Sequence, residues 1–75
     1  MMDYRKRIVT DPSIMLGKPI IKGTRITVEV ILSKMGEGAT VDQLIQSYPH
    51  ISQEDIMASL CYSADVIGRE ELLAS

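Results

Sequence analysis

The spacing of apolar residues changes character at Thr27. Before it, Ile8-Val9-Thr10 and the run from Pro19 to Ile26 are rich in β-branched residues and interrupted by Pro and Gly. That pattern predicts short extended segments joined by the turn-prone stretch DPSIMLG, a small two-stranded arm or hairpin. After Thr27 the period becomes helical. Val28, Ile31, Leu32 and Met35 recur at i, i+3, i+4 and i+7, and Val41, Leu44, Ile45 and Tyr48 repeat the stripe. A third helix is predicted from Ser52, with a broad apolar face of Ile56, Met57, Leu60, Cys61, Ala64 and Ile67, widened by Ala58, Tyr62 and Val66. A face that wide predicts packing both inside the domain and against something else.

Local end signals agree with these periods. Thr27 is placed to cap the first helix, Glu29 and Lys34 suit its dipole, Gly36 suits its end, and Ile26 with Ile31 suits a hydrophobic staple. Thr40 and Gln43 form a capping-box pair ahead of the second helix, which Pro49 stops. Ser52 and Asp55 open the third helix, with Ile51 and Ile56 as its staple. Gly68 is expected to break that helix, leaving REELLAS as a frayed or partner-stabilised turn. The reading is of one mainly α domain over residues 1–75, an extended arm (1–26) followed by a helical body (27–75), with a helix-turn-helix corner at 47–52.

A chain of 75 residues builds a small core, here from Ile, Leu, Val and Met, since it has no Trp, no Phe and three Tyr. Self-association, as a homodimer, is the expected supplement, because one Cys and one His supply neither a disulfide nor a metal site. Cys61 sits in an apolar helical pattern and His50 beside Pro49 in a turn, so neither suggests catalysis, and no enzyme or cofactor is expected. Gly17 and Gly23 do not form a P-loop: five residues separate them, and Thr24 and Arg25 follow where Lys-Ser/Thr belongs. The cations near the N-terminus precede no apolar run of signal-peptide length, and no stretch approaches a membrane span, so a cytoplasmic location is expected.

Net charge is only -2, but the charges are segregated. Arg5, Lys6, Arg7, Lys18, Lys22, Arg25 and Lys34 lie in the first half, and no Lys or Arg occurs from Met35 to Gly68. Such asymmetry suits a charged partner as well as it suits a solvated surface. Arg25 in particular could pair with Glu29 inside the fold or grip a partner's carboxylate or phosphate.

The blocks GKPIIKGTRITVEVIL and GEGATVDQLIQSYPHISQEDIMASLCYSAD resemble the bacterial family called domain of unknown function 433. That family carries a G-x-P-x-I-x-G-T-R-I-x-V block, a helix, and a Y-P-x-[LI]-[ST]-x-E-D-[IV] block, and the resemblance covers residues 8 to 67. It implies a homeodomain-like three-helix bundle. It also implies a likeness to antitoxins of the VapB group, whose partner is a small ribonuclease-like toxin.

Two binding modes follow. For DNA, the third helix is a poor groove reader, because Gln53, Glu54 and Asp55 at its start would face phosphates. The expected contacts are instead Arg5, Lys6, Arg7, Lys18, Lys22 and Arg25. For a basic toxin, the expected contacts are Glu37, Asp42, Glu54 and Asp55, with Tyr62 adding apolar surface. The alternative is a stand-alone dimeric DNA-binding or protein-interaction module.

Overall fold

The β-branched pairs at the start of the chain form two short strands that bond to each other in the computed structural model. It describes residues 2–74, with side chains to residue 69. β1 (Ile8–Val9) and β2 (Ile20–Ile21) pair antiparallel, Ile8 opposite Ile21 and Val9 opposite Ile20. A further bond from Lys22 N–H to the Arg7 carbonyl, 2.8 Å, extends the ladder. Short 3-10 turns at Tyr4–Lys6 and Met15–Gly17 flank β1 and precede β2. Three helices follow: α1 (Val28–Gly36), α2 (Val41–Ser47) and α3 (Gln53–Ala74). The molecule is mainly helical, with three helices and a two-stranded sheet.

The caps form as the end signals require. Thr27 Oγ1 accepts from Val30 N–H, and Thr27 is itself buried. Thr40 and Gln43 close a reciprocal capping box. Ser52 and Asp55 close another, since Ser52 Oγ accepts from Asp55 N–H and an Asp55 carboxylate oxygen accepts from Ser52 N–H. Each pairing satisfies donors that would otherwise be orphaned at a helix start.

The first 26 residues are not an arm laid beside a finished body. Ile8, Ile20 and Ile21 are buried, and Ile8 and Ile21 join Val28, Ile31, Leu44, Ile51, Ile56 and Ala58 in one core. Main-chain bonds from Ile21 N–H to the Ile26 carbonyl and from Val28 N–H to the Pro19 carbonyl tie β2 to the entry of α1. Ile8 and Ile21 share that core with residues of all three helices, so sheet and helices depend on one another.

α3 departs from expectation in two ways. It runs through Gly68 without a break to Ala74, a helix of 22 residues. Gly lowers helix propensity by about 1 kcal/mol, which a long helix anchored by packing absorbs. Its buried side is also rotated from the predicted one. Ile56, Ala58 and Ser59 face the core, whereas Met57 and Ile67 are 44% and 61% exposed and Ala64 is exposed. Ser59 and Ser63 satisfy their hydroxyls on carbonyls one turn back, at 3.0 and 2.7 Å, so two polar residues pack where apolar ones were expected. Tyr4 accounts for the rotation further along. Its ring meets Tyr62 edge-on, centroids 5.5 Å apart at 85°, and its hydroxyl donates to an Asp65 carboxylate oxygen.

Ile31, wholly buried at the centre, should be the most sensitive core position: Ile31→Ala is expected to lower unfolding free energy by about 3 kcal/mol in a urea titration. The Tyr4 bond, aided by Arg69, holds the Asp65 carboxyl below its usual range, and the same bond holds the Tyr4 phenol above its own. Because the folded chain then binds fewer protons at Asp65 than the unfolded chain, stability from this clamp is present above about pH 4 and is lost as pH falls through the lowered pKa. Tyr4→Phe is therefore expected to flatten the acid limb of the urea midpoint plotted against pH; an unchanged limb would show that the clamp contributes nothing.

Candidate functional site

Ion pairing inside the fold decides which charges remain for a partner. Arg7 Nη1 lies 3.1 Å from Asp55 Oδ1, in a partly buried pair joining the start of β1 to the start of α3. Arg7 and Asp55, expected on opposite binding surfaces, are thus spent on each other. Lys18 Nζ reaches both carboxylate oxygens of Glu29, at 3.1 and 3.3 Å. That pair is solvent-exposed, so it holds Lys18 only weakly. It nevertheless occupies the carboxylate foreseen as a partner for Arg25. Arg69 closes the set by pairing with Asp65 at 2.9 Å, one helical turn apart.

Four of the expected basic residues make no salt bridge among the described residues: Arg5, Lys6, Lys22 and Arg25, all exposed. Arg5 and Lys6 lie on the Tyr4–Lys6 turn. Lys22 and Arg25 stand on the rigid turn between β2 and α1. There Gly23 takes the left-handed conformation (φ +80°), Thr24 Oγ1 donates to the Ile21 carbonyl at 2.7 Å, and it accepts from Ile26 N–H at 3.0 Å. A hydroxyl bridging both sides of the turn pre-orders the backbone that carries the two cations. Since Lys22 is bonded through its main chain to Arg7, the fold gathers Arg7, Lys22 and Arg25 toward one end of the hairpin.

The acidic set is reduced in the same way. Glu37 closes α1, Asp42 lies in the first turn of α2 and Glu54 in the first turn of α3, and all three are exposed. Tyr62 is half-buried against Tyr4, with part of its ring committed to the fold. Among the described residues no cluster of His, Cys, Asp and Glu has the geometry to hold a metal ion.

One feature is not foreshadowed by the pattern of the chain. Met15 and Leu16 both adopt left-handed backbone, φ 49° and 59°, ahead of Gly17 at φ 80°. For a residue with a side chain that conformation costs roughly 1–2 kcal/mol, and only glycine takes it freely. The loop is nonetheless locked: Asp11 accepts from Ser13 N–H and Oγ, at 2.9 and 2.7 Å, and Gly17 N–H and Lys18 N–H donate to the Ile14 and Met15 carbonyls at 3.1 Å. The result is Leu16 held 94% exposed, with Met15 beside it at 43%. DPSIMLG is readable as a turn, but the handedness of two consecutive residues within it is not.

A crystal structure of a DUF433 member protein from Anabaena variabilis ATCC 29413 superposes with a TM-score of 0.79 at 26% sequence identity, over 92% of this chain and 69% of that one. An uncharacterized protein, y4eO, from Sinorhizobium fredii (strain NBRC 101917 / NGR234) is 25% identical over 59 residues, which are 79% of this chain. The chain spans only 27% of that relative's length. The family model described as "Protein of unknown function (DUF433)" matches residues 8–63, from the first strand to the middle of α3. The chain belongs to the DUF433 family.

Proposed function

We propose that the chain is a non-enzymatic binding protein of the antitoxin type, which captures a small, basic, ribonuclease-like toxin and is active in the cytoplasm. The observation that carries this reading is Leu16: an apolar side chain 94% exposed on a backbone that is strained to hold it out. Such strain contributes nothing to folding, and exposed apolar residues on preordered loops are the usual anchors of protein interfaces. The exposed carboxylates Glu37, Asp42 and Glu54 have the sign to steer a basic partner toward the surface, while Arg7 and Asp55 serve the fold.

The helix-turn-helix, homeodomain-like reading rests on α2, the five-residue connection 48–52 and α3. Its groove-reading position would present Gln53 and Glu54 to phosphates, which argues against base readout by α3. DNA contact is therefore the second reading and rests on Lys22 and Arg25, which the Thr24-braced turn carries and which pair with no carboxylate among the described residues.

The two readings are separated by variants that spare the fold. Leu16→Asn, a residue that tolerates left-handed backbone, is expected to raise unfolding free energy by about 1 kcal/mol and to weaken toxin capture at least tenfold in a co-purification and ribonuclease-inhibition assay. Stabilisation without loss of capture would remove Leu16 from the interface. Lys22→Glu with Arg25→Glu is expected to abolish an electrophoretic shift on the protein's own promoter if DNA is bound, and to leave toxin capture intact.

A further inference from the structure

We infer that the cations at the end of the hairpin away from the DPSIMLG loop form one surface for the phosphate backbone of a nucleic-acid duplex, bound without regard to base sequence. The inference rests on the reading of DNA contact and names how that contact is made. Three bonds build the surface. The first, from Lys22 N–H to the Arg7 carbonyl at 2.8 Å, sets Lys22 beside the turn that carries Arg5 and Lys6. Bonded strand partners sit about 5.5 Å apart at Cα and chain neighbours about 3.8 Å, so the Cα atoms of Lys6 and Lys22 lie within about 10 Å of each other. The second, from Ile21 N–H to the Ile26 carbonyl at 2.9 Å, closes the loop that returns Arg25 toward Lys22. In the third, Asp3 accepts from Arg5 N–H at 3.1 Å and caps the first turn, which fixes the backbone under Arg5 and Lys6.

The surroundings of these cations select the occupant. None of the exposed large apolar side chains falls within 3–7 or 22–25, so an acidic protein would find charge there but no apolar anchor. The chain has no Trp or Phe, and Tyr4, Tyr48 and Tyr62 all pack against the core, which leaves no free ring on which an unpaired base could stack. Base readout in the major groove takes a helix or a two-stranded ribbon, and here the ribbon is buried through Ile8, Ile20 and Ile21. Phosphate contact needs only cations. Neighbouring carboxylates offset part of the charge: Arg7 is engaged by Asp55, Asp65 lies in the field of Arg5, and the exposed Glu54 borders the Arg7–Asp55 pair as a chain neighbour. Glu37 stands beyond the far end of α1, about 15 Å of helix from Thr27. Lys6, Lys22 and Arg25 are thus the three cations left for phosphates.

The test is fluorescence anisotropy of the purified chain with labelled duplexes, one of scrambled sequence and one from the protein's own promoter. Three phosphate contacts give a slope of about -2.7 in log K against log salt, so affinity should fall roughly 40-fold between about 50 mM and about 200 mM salt. Lys22→Gln and Arg25→Gln should each flatten that slope by about 0.9. Lys34→Gln removes the same charge from the last turn of α1 and should leave the slope unchanged. The two duplexes should bind within about tenfold of each other. A promoter preferred by more than that keeps DNA contact but overturns this inference, whereas failure to bind either duplex in about 50 mM salt overturns both. Equal flattening by Lys34→Gln would reduce the effect to overall charge. Poly-glutamate that displaces the duplex as well, charge for charge, as unlabelled duplex does would assign the surface to acidic polypeptides. Either result overturns the proposal.

Discussion

The Asp55 carboxylate ties together the two halves of a chain too short to build two cores. One oxygen accepts from Ser52 N–H and fixes where α3 begins, and the other pairs with Arg7 at the start of β1. The same group thus ends the chain's last turn and pins its first strand. With α3 started and β1 anchored against it, Ile8 and Ile21 are delivered to Ile31, Ile51 and Ile56. Ten residues further along α3, Tyr4 and Asp65 repeat the connection. Two polar links ten residues apart on α3 hold the N-terminal segment across it, and the buried isoleucines supply the apolar contact.

That anchoring also determines what is left for function. Ion pairs between distant segments consume Arg7 and Asp55, and a looser pair engages Lys18 with Glu29. The residual charges are Arg5, Lys6, Lys22 and Arg25 along the hairpin and its flanks, and Glu37, Asp42 and Glu54 at helix ends. Surface pairs are worth little to stability, so the arrangement matters chiefly for what it leaves exposed. Two apolar features complete the surface, the strained Met15–Leu16 loop and the outward stripe of α3. They lie on different elements.

What was legible in advance followed from short-range physics. Thr27, the Thr40–Gln43 box and the Ser52–Asp55 box act on amides within three residues, so their type and spacing announce the helix starts. Gly23 announces a turn because few residues take positive φ cheaply. By contrast, Arg7 and Asp55 are 48 positions apart, and either could have faced solvent. The rotation of α3 was equally hidden, because its apolar residues nearly encircle the helix and periodicity alone cannot choose a side.

The sequence by itself determined the helix starts, their caps, the presence of two short extended segments and the inward stripes that carry Ile31, Leu44 and Ile56, since each follows from local periodicity or from a cap's reach. The tertiary structure alone decided which cations and carboxylates neutralise each other, which side of α3 is buried, that Gly68 is carried through a helix, and that Leu16 is held out on left-handed backbone. Those outcomes depend on distances between segments far apart in the chain. Only the packed fold sets such distances, and they separate residues that hold this protein together from those it offers to a partner.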